Sequence, residues 1–255
     1  MEENNAKKET KNIKTSHKII AAIAGLFLLM GVVFGIYSLD YYHADKEAVT
    51  IVKGINYGFS VADEGDFYVF KPDYTINIGF VFYPGGKVEC EAYAPLMARL
   101  AERGITCVLL KMPANLAVLN INAARGIQDV IPGIDRWYIG GHSLGGSTAG
   151  KYLKRSGDEY EGIILLASYL ADNLSNTNIR ALVIYGSKDG VMDMDRFEKS
   201  DKYLPKITTK VVIEGGCHSN FGSYGMQKGD GAPEITKDAQ YEQTVNEIVR
   251  FMLGQ

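Results

Sequence analysis

The chain has 255 residues, of which 46% are hydrophobic and 22% are charged, and its formal net charge is −3. This composition is typical of a globular protein with one domain of ordinary size. Lysine is clustered only near the N-terminus, and no basic stripe recurs in the body of the sequence. Composition and charge therefore argue against nucleic acid as a partner.

The N-terminal segment differs in composition from the rest of the chain. Residues 19–39 are uncharged and mostly apolar, and a helix of that length spans roughly 30 Å, the thickness of the hydrocarbon core of a bilayer. We predict a transmembrane anchor at 19–39, preceded by a basic tail at 1–18 and followed by a spacer at 40–47. A cleaved signal peptide is the alternative, but the apolar run is longer than the usual core of about 7–15 residues and no clear Ala-x-Ala site follows it.

The charges on either side of the predicted anchor indicate its orientation. Residues 40–47 carry three acidic side chains and Lys46, whereas the preceding segment carries Lys7, Lys8, Lys11, Lys14 and Lys18. Positively charged flanks stay in the cytoplasm. We therefore predict a single-pass protein of the cell membrane whose large C-terminal domain, residues 48–255, lies outside the cytoplasm.

After the spacer, short apolar segments alternate with helical patterns. The predicted strands are 54–59, 67–70, 78–83, 105–110, 137–140, 162–167, 181–185 and 210–213, and the predicted helices are 91–103, 145–156, 194–203 and 237–253. Such alternation predicts an α/β fold whose mostly parallel sheet of about eight strands has helices on both faces. The first two strands, separated by residues 62–66, are expected to form an antiparallel hairpin at an edge.

The most informative motif is Gly141-His142-Ser143-Leu144-Gly145-Gly146, which directly follows the predicted strand 137–140. Its outer glycines permit the cramped turn from strand to helix that lifts a serine hydroxyl clear of its surroundings. We therefore predict Ser143 as a nucleophile. A glycine-rich turn that only links two elements is the alternative interpretation.

A serine nucleophile needs a base, and the base is best oriented by a carboxylate. His218 follows the last predicted strand and is flanked by glycines, whereas the other three histidines lie before the anchor, in the spacer and inside the motif itself. Asp189 follows the strand 181–185, and loops at the carboxyl ends of parallel strands gather at one edge of the sheet. We predict Asp189 as the acid and His218 as the base. The rival acids are Asp193, Asp195, Glu214 and Asp230.

Two backbone N–H groups are predicted to stabilise the oxyanion of the tetrahedral intermediate. One belongs to Leu144, the residue after the nucleophile, at the start of the following helix. The other belongs to Gly86 in the loop after the strand 78–83, with Lys87 as the alternative donor.

Five segments together carry a family resemblance: 83–89, 111–117, 140–146, 185–190 and 221–231. From about residue 49 to its end the chain resembles a membrane-anchored branch of the α/β-hydrolase superfamily, the group often labelled the fifth family, with a layout similar to that of dienelactone hydrolases. The resemblance implies hydrolase activity and a triad of Ser143, Asp189 and His218. One departure is Tyr83-Pro84, where many members of the superfamily carry His-Gly.

The sequence thus predicts a serine hydrolase that forms an acyl-enzyme, acts on a carboxylic ester of a small molecule, lipid or polymer, and needs no cofactor or metal. The pattern at 145–151 resembles a phosphate-binding loop but lacks the Ser or Thr that would hold Mg²⁺. Cys217 beside His218 is not expected to be a nucleophile, because adjacent side chains on an extended segment point to opposite sides. A binding protein on a hydrolase scaffold and an acyltransferase are the alternative functions.

Overall fold

The computed structural model describes residues 2–54, 57–156 and 160–255, without the side chains of residues 2–16 and 38. The chain forms two units, and the first ends at Asp40. This unit is a single helix, α1 (Glu2–Leu39). Its segment His17–Tyr37 is long and apolar enough to cross a membrane and is not buried. A signal sequence would have the same properties, so the anchor and its orientation stay predictions.

The second unit, Tyr41–Gln255, contains an eight-stranded sheet with the order β1-β2-β4-β3-β5-β6-β7-β8. The two pairs that involve β2 are antiparallel and the remaining pairs are parallel. The predicted parallel sheet with an antiparallel edge hairpin is therefore confirmed. The strands are β1 (Phe59–Asp63), β2 (Phe67–Pro72), β3 (Ile78–Tyr83), β4 (Ile105–Leu110), β5 (Arg136–His142), β6 (Gly162–Leu166), β7 (Arg180–Gly186) and β8 (Ile207–Ile213).

The first strand lies later in the chain than the prediction of 54–59. The N–H of Glu64 donates to the carbonyl of Phe67 at 3.0 Å, and this tight turn pairs Asp63 with Tyr68 and Phe59 with Pro72. Because the turn sets the register, β1 begins at Phe59, which is the last residue of the predicted strand. Residues 55–56 of the predicted strand lie outside the described residues.

Six helices accompany the sheet within the described part of the second unit. They are α2 (Lys46–Lys53), α3 (Ala94–Glu102), α4 (Ile127–Val130), α5 (Leu144–Ser156), α6 (Met194–Lys199) and α7 (Lys237–Leu253). The predicted helix 91–103 is divided into a 3₁₀ turn at Cys90–Tyr93 and α3, with a proline in the first turn of α3. The helix α7 has the predicted bounds, and the side chain of Thr236 accepts a hydrogen bond from the N–H of Ala239 at its start. The sequence patterns did not reveal α2 and α4.

Both faces of the sheet are buried, as β3 illustrates. Phe80 and Phe82 pack into one hydrophobic cluster with residues of α3 and α7, whereas Val81 and Tyr83 pack into a second cluster with residues of α5. All six residues of β3 are buried. This two-sided burial fixes the central strands, and the loops at their carboxyl ends carry the predicted site residues.

Candidate active site

Ser143 occupies the sharp turn between β5 and α5. Its φ of 52° lies in the left-handed region, which non-glycine residues adopt at an energetic cost. A Cβ atom on Gly145 would overlap the carbonyl oxygens of Tyr83 and Pro84, and one on Gly141 would lie 2.7 Å from the carbonyl carbon of Gly145. Glycine is therefore required on both sides of the serine, as the motif predicts.

The strained turn is held by hydrogen bonds to the last residue of β6 and to the segment after it. The N–H of Ser143 donates to the carbonyl of Leu166 at 2.9 Å, and the hydroxyl of the buried Ser168 donates to the carbonyl of Ser143 at 2.6 Å. The side chain of Ser143 is only partly buried and lines a cavity of about 240 Å³. A hydroxyl in this position is accessible to a small molecule.

Asp189 and His218, on loops after β7 and β8, are in direct contact. The Nδ1 atom of His218 lies 2.8 Å from Oδ2 of Asp189, and each side chain is 1% exposed. The Oδ1 atom of Asp189 accepts the N–H groups of Val191 at 2.9 Å and Met192 at 2.8 Å. Both oxygens are therefore used, and the carboxylate is fixed toward the imidazole ring.

The other ring nitrogen of His218 is available. Its Nε2 atom is buried and has no hydrogen-bond partner among the described residues, so it does not bond to the hydroxyl of Ser143 here. The ring of His218 nevertheless lies beside the turn, with its centroid 4.4 Å from that of His142. Catalytic hydrogen bonds are often long in the absence of substrate and tighten when it binds.

The loop with the predicted second oxyanion donor lies against the first residue of α5. A Cβ atom on Gly86 would lie 2.8 Å from Cδ2 of Leu144, so the two residues approach closely. The N–H of Lys87, the alternative donor, already donates to the carbonyl of Asn115 at 2.8 Å. In the described part of the chain, the N–H groups of Gly86 and Leu144 make no such bond, as expected for Leu144 at a helix start. This leaves Gly86 and Leu144 as the pair with free donors.

A buried hydrogen-bonded chain connects this loop to His142. The N–H of Gly85 donates to the hydroxyl oxygen of Tyr93 at 3.0 Å, and that hydroxyl lies 2.8 Å from Nδ1 of His142. Because the tyrosine oxygen accepts from Gly85, its own proton can go to Nδ1, which assigns a neutral ring to His142. Burial, followed by the nearby His218, holds the pKa of His142 well below 6.5. A proton on His218 would therefore not meet a second positive charge at His142.

Asp230, which the sequence placed only as a remote rival, holds the backbone of both loops. Its Oδ1 atom accepts the N–H groups of Gly190 at 3.1 Å, His218 at 3.2 Å and Gly231 at 2.9 Å. Its Oδ2 atom accepts the N–H and the hydroxyl of Ser219 at 2.7 and 2.6 Å. Burial raises the pKa of Asp230, but the hydrogen bonds outweigh burial and hold that pKa below 3.8. The sequence signal for this role was that Asp230 lies between two glycines in the segment that follows His218.

The other rival carboxylates lie away from the histidine ring. Asp193 precedes α6 and accepts the N–H of Arg196 at 3.0 Å, so it caps that helix. Asp195, in the first turn of α6, and Glu214 are exposed. Neither position offers a carboxylate fixed toward His218.

The thiols are unsuited to attack at neutral pH. All three cysteines are unpaired and buried. Burial raises the pKa of Cys217 to about 11, so that its thiol stays protonated at neutral pH. The backbone N–H and C=O of Cys217 both bond to the side-chain amide of Gln240, at 3.0 and 2.8 Å. Cys217 is therefore part of the packing between β8 and α7.

Comparisons with known proteins agree with this architecture. A sequence model described as the alpha/beta hydrolase family matches residues 79–242, which is more than half of the chain. Among solved structures, Est1E from Butyrivibrio proteoclasticus is 14% identical, with a TM-score of 0.53 over 78% of this chain and 100% of that one. Est1E with bound ferulic acid is 13% identical, with a TM-score of 0.56 over 77% of this chain and 100% of that one. At these identities the two structures show the shared fold alone, and no curated protein matches. From the family match and the fold, the chain belongs to the alpha/beta hydrolase family.

Proposed function

We propose that the protein is a serine hydrolase that cleaves carboxylic esters through an acyl-enzyme formed on Ser143. The observation that carries the proposal is the 2.8 Å contact between Asp189 and Nδ1 of His218, which leaves Nε2 of the histidine without a partner beside the strained serine turn. A carboxylate at one ring nitrogen and a free lone pair at the other are what a general base requires. Membership of the family supports hydrolase activity, while the serine mechanism and the ester specificity rest on these side chains.

The proposed reaction has two halves. In the first, Nε2 of His218 takes the proton of Ser143 as the hydroxyl oxygen attacks the ester carbonyl, and Asp189 stabilises the imidazolium. The N–H groups of Leu144 and Gly86 hold the oxyanion, and the imidazolium protonates the leaving alcohol as the acyl-enzyme forms. In the second half, His218 removes a proton from water as the water attacks the acyl-enzyme, and the imidazolium then returns that proton to the oxygen of Ser143 as the acid leaves.

The cavity at Ser143 supports an acyl group of modest size. Its volume is about 240 Å³, and its wall is partly apolar, since Ala167, Tyr169, Val191 and Met192 are among the residues that line it. Pockets of this kind bind the apolar part of a ligand and orient it with a few polar groups. One of the two Est1E structures holds ferulic acid, so an aromatic ester belongs in the substrate panel together with short aliphatic esters.

The proposal is tested with the full chain in detergent and a panel of chromogenic esters of graded acyl length. We expect hydrolysis by the wild-type protein and labelling of Ser143 by a fluorophosphonate. Both should be lost in Ser143→Ala, and labelling should weaken in His218→Ala. The matched control is Ser60→Ala, a serine of the edge strand β1, which should behave as wild type. A folded protein that neither turns over an ester nor reacts with the probe would favour the binding-protein alternative. Ester product exceeding hydrolysis in the presence of an alcohol would favour an acyltransferase.

The membrane location is a separate part of the proposal. The apolar segment His17–Tyr37 and the lysines before it support an uncleaved anchor with the hydrolase domain outside the cytoplasm. Protease added to intact cells should then remove the domain. Complete protection, with degradation only after lysis, would reverse the orientation, and a mature protein that lacks the segment would identify it as a signal peptide.

A further inference from the structure

The segment just before α2 contacts the loop of the proposed oxyanion donor. We name residues 42–45 the strap. The N–H of Tyr42 donates to the carbonyl of Lys87 at 2.8 Å, and the N–H of Glu89 donates to the carbonyl of Tyr42 at 3.0 Å. These bonds form a parallel bridge between Tyr42 and Val88. In addition, the N–H of Ala44 donates to the carboxylate of Glu89 at 2.8 Å.

The same strap contacts the loop that follows His218. The hydroxyl of Tyr42 accepts the N–H of Lys228 at 3.0 Å, and its ring centroid lies 5.6 Å from that of Tyr224. At the other end of the strap, the N–H of Asp45 donates to the carbonyl of Ser223 at 2.8 Å, and the hydroxyl of Ser223 donates to Oδ2 of Asp45 at 3.0 Å. The four-residue strap therefore connects two loops that are far apart in sequence.

The contacts with the first loop surround the donor that the proposed mechanism uses. Gly85 is held by the hydroxyl of Tyr93. Lys87 is held on one side by the carbonyl of Asn115 and on the other by Tyr42, with a φ of 60°. Gly86 lies between these two fixed residues and keeps a free N–H. A backbone held in the left-handed region relaxes when its contacts are removed, since that conformation persists only where the surroundings enforce it.

We propose that Tyr42 is a positioning residue, which holds the N–H of Gly86 at the oxyanion and the His218 loop in register with it. This inference rests on the proposed function. It makes the segment that joins the predicted anchor to the domain a working part of the active site rather than a passive tether. Removing one oxyanion donor costs about 10²–10³ in turnover, so a displaced donor should lower kcat by about 10-fold or more.

The test compares variants of the full chain. Tyr42→Ala removes the ring and its hydroxyl contact with Lys228 while keeping the backbone bridge, and Tyr42→Pro removes the N–H that donates to the carbonyl of Lys87. Tyr41→Ala is the matched control, because the ring of Tyr41 packs against His43 within the same segment. For Tyr42→Pro, which breaks the bond to the donor loop, we expect kcat to fall about 10-fold or more with KM nearly unchanged. For Tyr42→Ala, which releases only the His218 loop, we expect a smaller fall in kcat. Affinity for a boronic acid, which forms a tetrahedral adduct on the serine, should fall in parallel.

Hydrogen exchange provides a readout that does not depend on turnover. In Tyr42→Pro, amides of residues 84–89 should exchange faster, and in Tyr42→Ala those of residues 222–231, while amides of α5 and α7 should not. A fall in melting temperature with unchanged kcat, boronate affinity and loop exchange would show a merely structural role and overturn the proposal. If Tyr42→Pro fails to fold, unchanged kcat together with unchanged exchange of residues 222–231 in Tyr42→Ala would overturn the proposal. Absence of any wild-type turnover would overturn the proposed function, whereas unchanged exchange in both loops would overturn the positioning role whatever the esters show.

Discussion

Replacing Asp230 by Asn tests whether one carboxylate holds the acid and histidine loops together. The change keeps the size of the side chain and removes its charge. In the structure the carboxylate accepts three backbone N–H groups at Oδ1 and the two donors of Ser219 at Oδ2. An amide offers one oxygen, so the favourable orientation of Asn keeps the three backbone bonds and turns its NH₂ group toward Ser219.

The cost follows from what that NH₂ group meets. The hydroxyl of Ser219 can rotate to accept, but its backbone N–H, now 2.7 Å from an acceptor, would face another donor. An unsatisfied buried donor costs about 1–3 kcal/mol, and bonds to a charged partner are stronger than those to a neutral one. We expect Asp230→Asn to lower the free energy of unfolding by about 2–4 kcal/mol, which in a domain of this size lowers the melting temperature by about 5–15 °C.

Thermal unfolding and ester turnover of the full chain measure the effect. Because the loops that carry Asp189 and His218 lose a shared support, kcat should fall about 10-fold. The hydrogen bonds hold the pKa of Asp230 below 3.8. The carboxylate therefore stabilises the fold fully above a pH of about 3.8, and the difference in stability between Asp230→Asn and wild type should shrink as the pH falls through the lowered pKa. Asp195→Asn, an exposed residue, is the matched control. A melting temperature and kcat equal to those of wild type in Asp230→Asn would refute the reasoning.

Three further substitutions test the serine turn and its surroundings. The unfolded chain binds a proton at His142 below a pH of about 6.5 and the folded chain does not, so stability should fall as the pH is lowered from 6.5, by up to about 1.4 kcal/mol per pH unit. His142→Gln should flatten the plot of melting temperature against pH between about 7 and 5, and parallel plots would contradict this. Gly145→Ala would drive a Cβ atom into the carbonyl of Tyr83 and should lower the free energy of unfolding by about 1–3 kcal/mol, with loss of turnover. A crystal structure of the variant with the turn unmoved would contradict this expectation. Ser168→Ala removes the hydrogen bond to the carbonyl of Ser143 and should lower the free energy of unfolding by about 1–3 kcal/mol. The variant should have a lower kcat and a less affected KM. An unchanged kcat would show that the turn holds without this hydrogen bond.

The sequence located the main candidate residues because their positions follow from the order of the strands. Parallel strands bring the ends of β5, β7 and β8 to one edge, and the glycines around Ser143 indicate the tight turn. The assignment of carboxylates was harder, since Asp189 and Asp230 both lie at that edge. The two carboxylates differ in their surroundings, because the N–H groups of Val191 and Met192 orient Asp189 toward the ring of His218. Such local geometry leaves no periodic pattern in the sequence.

Contacts between single residues far apart in the chain could not be predicted either, because they too leave no periodic pattern in the sequence. From Tyr41 onward, the segment 40–47 that was predicted as a spacer belongs to the second unit. Its bridge between Tyr42 and Val88 involves one residue on each side. A domain that begins at residue 48, as predicted, would exclude the strap and the first two residues of α2. A soluble fragment for enzymology should therefore begin before Tyr42.

The three buried thiols allow local unfolding of the native protein to be measured by their chemical modification. Alkylating reagents attack the thiolate, and Cys90, Cys107 and Cys217 are buried and have pKa values raised by burial. Cys90 lies before α3, Cys107 lies in β4, and Cys217 lies in the loop that carries His218. Iodoacetamide modification, resolved by mass spectrometry, would thus reveal which part of the domain unfolds first, without any engineered label.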